Sequence, residues 1–309
     1  MILVTGGAGF IGSAFVRIVD NPVVYDALTY SGRLENLQGV PHTFIKGDIR
    51  DKEKLEKVVN DYGIDIIVNF AAESHVDRSI SDPGTFLVNV EGVVNLLNIC
   101  RKYGIRLVHI STDEVYGERE NATEDSPLNP SSPYAASKAA GDLFIKAYVR
   151  TYGVDAIIIR PSNNYGPRQY PEKFIPKTII RTLLGLEVPI YGDGSQVRDW
   201  IYVEDTVRLI KDLMKNGKSG EIYNLPGNNH ITNLELVKLI GKIMNKEVKI
   251  KFVKDRPGHD RLYSMKSKLK YEVTPLEEGL RKTIEWYINN EWWWRGLIND
   301  RYFKLDEPW

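Results

Sequence analysis

The stretch Val4-Thr5-Gly6-Gly7-Ala8-Gly9-Phe10-Ile11-Gly12 opens on a β-branched pair, breaks at glycine and resumes with apolar spacing suited to a helix. Glycines 6, 9 and 12 therefore stand in a strand–loop–helix context. Gly6 permits a tight turn, Gly9 lets backbone amides approach a pyrophosphate, and Gly12 lets the helix pack closely on the strand. Unpaired N–H groups at the start of that helix, led by Phe10 and Ile11, face the phosphates. A glycine-rich turn that binds nothing is the competing reading, and the buried-type strand beginning at residue 1 argues against it.

Outward from this loop, short apolar runs alternate with segments of helical period, which is the pattern of a parallel sheet with crossover helices. Strands are expected at Met1–Val4, Val23–Tyr25, Thr43–Lys46, Asp65–Phe70, Arg106–Ser111 and Val154–Arg160. Helices are expected between them at Ile11–Val19, Asp51–Tyr62, Thr85–Tyr103 and Pro133–Tyr152. This is a Rossmann-type, doubly wound α/β fold. After Pro161 the rhythm loosens, and helices are expected at Glu172–Gly185, Glu204–Lys215, Asn233–Asn245 and Leu276–Glu291. We assign residues 1–160 to the dinucleotide domain and 161–309 mainly to a smaller C-terminal α/β substrate-binding lobe, with 199–214 a candidate to return to the large domain.

Asp26 ends the second strand about 20 residues after the first glycine, where a carboxylate accepts both ribose hydroxyls and repels a 2′-phosphate. That favours NAD over NADP. Asp48, after the third strand, is a candidate partner of the adenine amino group. Ala71 and Ala72, after the fourth, are small enough for the cofactor to lie across that edge.

Lys plus Arg and Asp plus Glu both total 41, so no global field draws the 309-residue chain to nucleic acid or an anionic membrane. Any anion must be held locally. Cys100 is the only cysteine, which precludes an intrachain disulfide and suits a reducing compartment. No apolar run approaches the roughly 20 residues of a membrane span, and the first residues lack the charged region of a secretory signal. A cytoplasmic protein is expected.

Tyr134 and Lys138 lie four apart in a segment that begins Ser131-Ser132-Pro133, a credible helix start. They share a helix face. An ammonium beside a phenol favours the phenolate, moving a pKa that starts near 10 toward neutrality, and Lys138 can also reach a nicotinamide ribose. Together they make a base for an alcohol whose carbon gives up hydride. The fifth strand ends in Ser111-Thr112-Asp113-Glu114-Val115-Tyr116-Gly117, at the edge where ligands bind in open α/β sheets. Thr112 can hydrogen-bond the reacting hydroxyl. If one of the adjacent carboxyls is protonated and the other ionised, the pair can serve as general acid and general base.

These motifs resemble the extended short-chain dehydrogenase/reductase family, and within it the nucleotide-sugar dehydratases. The resemblance rests on Gly6–Ser13, Asp26–Tyr30, Ala71-Ala72-Glu73-Ser74-His75-Val76-Asp77-Arg78-Ser79, Ser111–Gly117, Ser162–Pro167, Gln196–Trp200 and Asp255–Asp260, and runs from residue 1 to about 290. It implies a tightly held NAD regenerated at each turnover. It also implies an internal redox cycle: Tyr134 deprotonates the sugar C4 hydroxyl as hydride leaves C4, Glu114 removes the C5 proton, Asp113 protonates the departing C6 hydroxyl, the hydride returns to C6, and C5 is reprotonated. Cofactor contacts are implied for Gly6, Gly9, Phe10, Ile11, Gly12, Asp26, Leu28, Thr29, Asp48, Ile49, Ala71, Ala72, Ser74, Tyr134, Lys138 and Asn164. Substrate contacts are implied for Ser74, Thr112, Asn163, Lys173, Arg198, Asn233, Arg256 and His259. Arg and Lys suit diphosphate oxygens, although a salt bridge to Asp199 or Glu204 is an alternative use of Arg198.

Two departures from the family pattern stand out. Val88 replaces a usual hydroxyl residue near the cofactor, and the chain is somewhat short. A relative acting on a UDP-sugar as epimerase, decarboxylase or dehydratase is the alternative within the family. A non-catalytic NAD-binding regulator is the alternative outside it, and the intact Tyr134, Lys138 and acid pair argue against that. The histidines lack ligand-type spacing, so no metal is expected. Trp292-Trp293-Trp294 reads as packing of a terminal helix or an oligomer contact. The resemblance further implies a homodimer built on Thr85–Tyr103 and Pro133–Tyr152.

Overall fold

The computed structural model describes residues 1–309. Its centre is a seven-stranded parallel sheet in the order Thr43–Lys46, Val23–Asp26, Ile2–Thr5, Ile66–Asn69, Arg106–Ile110, Ala156–Pro161, Ile222–Leu225. The chain starts in the middle, winds outward to one edge, then crosses over and winds to the other. That reversal beside the first strand opens a crevice at the carboxyl ends, where doubly wound sheets bind ligands.

The strands read as continuous apolar runs because both faces are covered. Val4, Val24, Val68, Val108 and Ile157 pack to one side with Phe15 and Val16 of helix Phe10–Val16 and Val207 and Ile210 of helix Val203–Asn216. Their neighbours Leu3, Val23, Ile67, Leu107 and Ile158 pack to the other, against helices Lys52–Tyr62 and Val88–Tyr103. Each fully buried Leu, Ile or Val contributes about 1.5–3 kcal/mol, and a one-residue slip would exchange the two sets.

The second lobe is built on a three-stranded sheet, His230–Thr232, Val197–Tyr202 and Asn163–Tyr165. Helices Phe174–Leu183, Asn233–Met244 and Leu276–Asn289 bury Ile179, Ile240 and Ile284 with Trp200 in a separate core. The candidate return, 199–214, divides at Val203. Residues 199–202 belong to the lobe's own sheet. The stretch that returns to the large sheet runs from Val203 to Leu225, a helix lying on Phe10–Val16 and then the seventh strand, paired with Ala156–Pro161. That strand was not foreseen, because Ile222-Tyr223-Asn224-Leu225 is too short to show a period. Thr85–Tyr103 also divides into a 3₁₀ turn, Pro83–Leu87, and helix Val88–Tyr103. Of the three tryptophans, Trp293 and Trp294 are buried and Trp292 is exposed.

Candidate active site

The glycine loop is shaped by close approach rather than by flexibility. Gly6 sits at φ +68°, and a Cβ there would lie 2.5 Å from the Ala71 nitrogen. At Gly12 it would lie 2.2 Å from the Gly6 carbonyl oxygen, which is why the helix can start so close to the strand. Gly9 caps that helix in extended backbone and leaves 3.3 Å between a would-be Cβ and the Gly6 oxygen. Phe10 and Ile11 begin the helix and line the central cavity. The loop is braced from the far end of the chain: Trp293 Nε1 donates to Asn36 Oδ1 at 2.9 Å, and Asn36 Nδ2 donates to the Ala8 carbonyl at 2.8 Å. No sequence signal connected Trp293 with this loop.

Asp26 is buried at the end of the second strand, with its carboxylate accepting the N–H groups of Ala8 at 2.9 Å and Leu28 at 2.8 Å. Burial raises its pKa, and the two backbone bonds oppose the rise. Leu28 adopts φ +52° to make its bond. Next to it Thr29 is exposed and bonds the Glu73 carboxyl. Asp48 is held low chiefly by its hydrogen bonds with Arg50, which approaches at 2.7 and 3.0 Å. Ile49 is buried against Gly92, where a Cβ would come within 2.1 Å of it. Ala71 N donates to Asn69 Oδ1 at 3.2 Å, and with Ala72 it forms a low shoulder after the fourth strand.

Helix Pro133–Tyr152 begins at Ser132, whose side chain accepts the Ala135 N–H, and carries Pro133 in its first turn. Its inner face presents Tyr134 and Lys138, both buried. Tyr134 hydrogen-bonds Thr112, while Lys138 Nζ donates to the Ile110 carbonyl at 2.6 Å. Here the structure corrects the simple expectation of a phenol lowered by its lysine. Burial first, and then the charge of Glu114, push the Tyr134 phenol up, while Lys138 spends a donor on strand backbone. Burial in turn lowers Lys138 to about 8, with Asp142 one turn on pulling the other way.

Thr112 accepts the Glu114 N–H at 3.2 Å, starting a 3₁₀ turn over Asp113–Tyr116 that turns both acids toward the cavity. Their surroundings differ. Asp113 is buried beside Glu114 and Asp199, and burial with these like charges pushes its pKa well up. Glu114 is also raised by burial, but Arg256, Arg198 and Lys173 act against the rise. Its Oε2 is enclosed with no hydrogen-bond partner in the protein.

A cavity of about 280 Å³ lies between the lobes. Thr112, Asp113, Glu114 and Tyr134 face it from the large sheet, with Phe10, Ile11 and Asn164 on the cofactor side. Ser74, Asn163, Lys173, Arg198, Asn233, Arg256 and His259 complete the wall. Lys138 lies outside it, and Gly6, Gly9, Gly12, Asp26, Leu28, Thr29, Asp48, Ile49, Ala71 and Ala72 belong to the glycine loop and adjoining strand ends. Arg198 makes no salt bridge: it donates to the carbonyls of Val197 and Asp260, each at 2.8 Å, and stacks 4.3 Å from the Tyr263 ring. Asp199 instead accepts the N–H groups of Gly227 and Asn229. Lys173 bonds the Ser74 carbonyl at 2.7 Å. His259 meets Asp255 at 2.6 Å, yet burial and Arg256 lower it to about 4. The sequence reading missed Asp77, which accepts from Arg256 at 3.0 Å and from the Tyr191 hydroxyl at 2.8 Å. Asp77 stands in a stretch quoted above, but only tertiary contact reveals its partners.

A parallel sheet with this strand order, a glycine loop and a Tyr-Lys pair beside two acids defines an NAD-type site for sugar or alcohol oxidation. Residues 2–225 match the NAD dependent epimerase/dehydratase family, and the chain belongs to it. It is 43% identical to a dTDP-glucose 4,6-dehydratase of Neisseria meningitidis, over 97% of each chain. Its fold superposes on crystalline DesIV, a dTDP-glucose 4,6-dehydratase from Streptomyces venezuelae with NAD bound, with a TM-score of 0.92 and 44% identity over 96% of this chain and 99% of that one. A UDP-glucose 4-epimerase of Thermus thermophilus gives a TM-score of 0.83 and 33% identity over 94% and 99%.

Proposed function

We propose that this chain is a dTDP-glucose 4,6-dehydratase, a carbon–oxygen lyase that forms dTDP-4-keto-6-deoxyglucose and water. The observation that carries this reading is the unequal pair Asp113 and Glu114. A buried acid with two carboxylates nearby favours its neutral form, while the adjoining acid faces three cations that favour its anion. That is the arrangement an elimination requires, and epimerisation does not need it.

The residues fit an NAD. Gly6 and Gly12 stand where side chains would collide with backbone, Asp26 ends the second strand, and Asn164 carries a buried Oδ1 without a partner. We assign the pyrophosphate to the loop from Gly6 to Gly12, with Phe10 and Ile11, and the adenosine ribose to Asp26, Leu28 and Thr29. Asp48, Ile49, Ala71, Ala72, Ser74 and Asn164 flank the rest, and Lys138 takes the nicotinamide ribose. A bound NAD would supply the acceptor for hydride from sugar C4 and its donor to C6.

The protein's own groups manage the protons. Tyr134 Oη takes the C4 hydroxyl proton in its ionised form, which the hydrogen bond from Thr112 Oγ1 favours. Oxidation acidifies C5, and Glu114, whose Oε2 is free of other bonds, takes that proton. Asp113 gives its proton to the C6 hydroxyl, which leaves as water, and Glu114 returns its proton to C5 as hydride reaches C6. Lys173, Arg198 and Arg256 balance the diphosphate, with Asn163, Asn233, Ser74 and His259 around the nucleotide-sugar. On this reading cofactor and substrate divide between the sheet-bearing domain and the smaller lobe, joined by the crossover at Val203–Leu225.

We also assign the chain to the cytoplasm, consistent with its single cysteine and with the absence of any helix long and apolar enough to cross a membrane. We assign it a homodimer through Val88–Tyr103 and Pro133–Tyr152. These helices pack on one another and expose Leu143 and Phe144, with Leu87 beside them.

The decisive experiment incubates purified protein with dTDP-glucose and UDP-glucose separately, without added cofactor. Alkali treatment then reveals a 4-keto-6-deoxy product by absorbance. Turnover of dTDP-glucose is expected; turnover of neither sugar ends the assignment, and preference for UDP-glucose moves it to a UDP-linked relative.

A further inference from the structure

Residues 300–309 run past the substrate cavity rather than away from it. Asp300 caps the short helix Arg301–Lys304 by accepting the Tyr302 N–H, and Tyr302 and Phe303 are buried. This stretch is tied by cations. Lys177 Nζ donates to the carbonyls of Tyr302 at 2.8 Å and Leu305 at 3.2 Å. One turn on, Arg181 donates to Phe303 at 3.0 Å and Lys304 at 2.8 Å. Both cations belong to helix Phe174–Leu183, which starts directly after Lys173.

The other side of the stretch grips helix Val76–Ser81. The Arg78 guanidinium lies between the rings of Tyr30, at 3.8 Å, and Tyr302, at 4.2 Å, and donates to Glu172 and Asp300, each at 2.7 Å. Its neighbour Asp77 holds Arg256 with one oxygen and Tyr191 with the other. Trp309 then meets the Tyr191 ring edge-on at 4.9 Å. The segment therefore reaches two groups that face the cavity, Arg256 through Arg78 and Asp77, and Tyr191 directly. Tyr134 is reached only through Val76, at the head of the gripped helix, which packs against it.

We propose that Asp300–Trp309 is a strap that holds Arg256 and Tyr191 in place and so sets affinity for the nucleotide end of the substrate without taking part in the redox chemistry. Its members are positioning residues. Releasing Asp300 leaves Arg78 with one carboxylate instead of two, and helix Val76–Ser81 gains freedom. Asp77 then orients Arg256 less well, and ordering it becomes a cost of binding. The inference rests on the proposed placement of a nucleotide-sugar in this cavity.

The test uses the full chain and whichever nucleotide sugar the parent turns over, so failure of the dTDP assignment stays separate from failure of the strap. Asp300→Asn, Tyr302→Leu and Trp309→Ala are expected to raise KM and weaken binding of the free nucleoside diphosphate by calorimetry, each about tenfold, a change worth about 1.4 kcal/mol. Bound NAD should be unchanged, and kcat should fall by less than the affinity does. Tyr302→Phe keeps the ring over Arg78 and should match the parent. Trp309 is only half-buried, so its variant remains informative if Tyr302→Leu folds poorly. Parental KM and diphosphate affinity in Trp309→Ala and Asp300→Asn would overturn the proposal, as would kcat and NAD content falling in step with affinity.

Discussion

At the residue scale, Asp113 and Glu114 are neighbours in the chain with different environments. Asp113 is raised by burial and by Glu114 and Asp199, whereas Glu114 is raised by burial alone among its larger influences and is opposed by Arg256, Arg198 and Lys173. Glu114→Gln fills nearly the same space but accepts no proton. It should therefore accumulate ketosugar and reduced nicotinamide, absorbing at roughly 340 nm, and fail to exchange the C5 hydrogen with deuterated water. Asp113→Asn should keep C5 exchange while water loss slows about 10²–10⁴-fold. Deuterium entering C5 in the Glu114→Gln enzyme would mean that the two acids have the opposite roles.

Asp113 also makes a stability prediction. Its folded-state pKa lies above the unfolded value, so its contribution is fullest below the ordinary carboxyl range and is lost as pH rises through the folded pKa. At neutral pH the protein thus carries a cost that an asparagine, never ionised, does not. The amide oxygen of an asparagine at this position can still accept the Thr112 hydroxyl, as Asp113 Oδ1 does at 3.2 Å. The Asp113→Asn protein should melt roughly 2 °C higher or more than the parent at pH 7, with the gap closing toward pH 4. Calorimetry across that range checks both the sign and the trend. A stabilised but slower enzyme is the usual mark of a strained active site.

At the scale of elements, what the sequence made legible follows local chemistry. Helix Pro133–Tyr152 could be read to both ends because Ser132 and Pro133 start it and Gly153, at φ +67°, stops it. The central strands were legible because burial on both faces leaves unbroken apolar runs. The seventh strand, and the partners of Asp77 and Trp293, were not, since their meaning lies in contacts with residues far along the chain. The same limit applies behind the catalytic helix. Asp142, one turn beyond Lys138, pairs with Arg160 of the sixth strand at 2.9 Å, with both groups buried, and Arg160 donates to Tyr116 at 2.7 Å. His109 also lies nearby, its Nε2 3.9 Å from Asp142 and its pKa well lowered by burial. Asp142→Asn should leave Arg160 buried without its anion, at a cost of about 3–5 kcal/mol. It should also remove the charge that holds the proton on Lys138. The alkaline fall in the oxidation step, which Lys138 places near 8, should then move to lower pH. A pH profile of reduced-nicotinamide formation that does not move would separate Asp142 from Lys138.

At the scale of the whole molecule, the cavity lies between two lobes with separate cores, and the chain crosses between them at Asn163, back at Val203 and out again after Leu225. The catalytic helix serves both sides of this design. Its inner face carries Tyr134 and Lys138, while its outer face leaves Leu143 55% and Phe144 41% exposed, with Leu87 at 64% near the adjoining helix. Large apolar groups grouped on a paired-helix surface are characteristic of a protein–protein interface. If two copies join here, as we propose, each catalytic helix is clamped between its own sheet and its partner. Phe144→Glu would put two charges into a symmetric contact, because an isologous interface doubles every substitution. It should give a monomer by sedimentation or light scattering at micromolar concentration, where the parent should be a dimer. The monomer should keep its NAD, because Gly6, Asp26 and the strand ends lie away from this face, but melt at lower temperature than the parent. A Phe144→Glu protein that still sediments as a dimer would place the interface elsewhere and leave the exposed apolar face without a role.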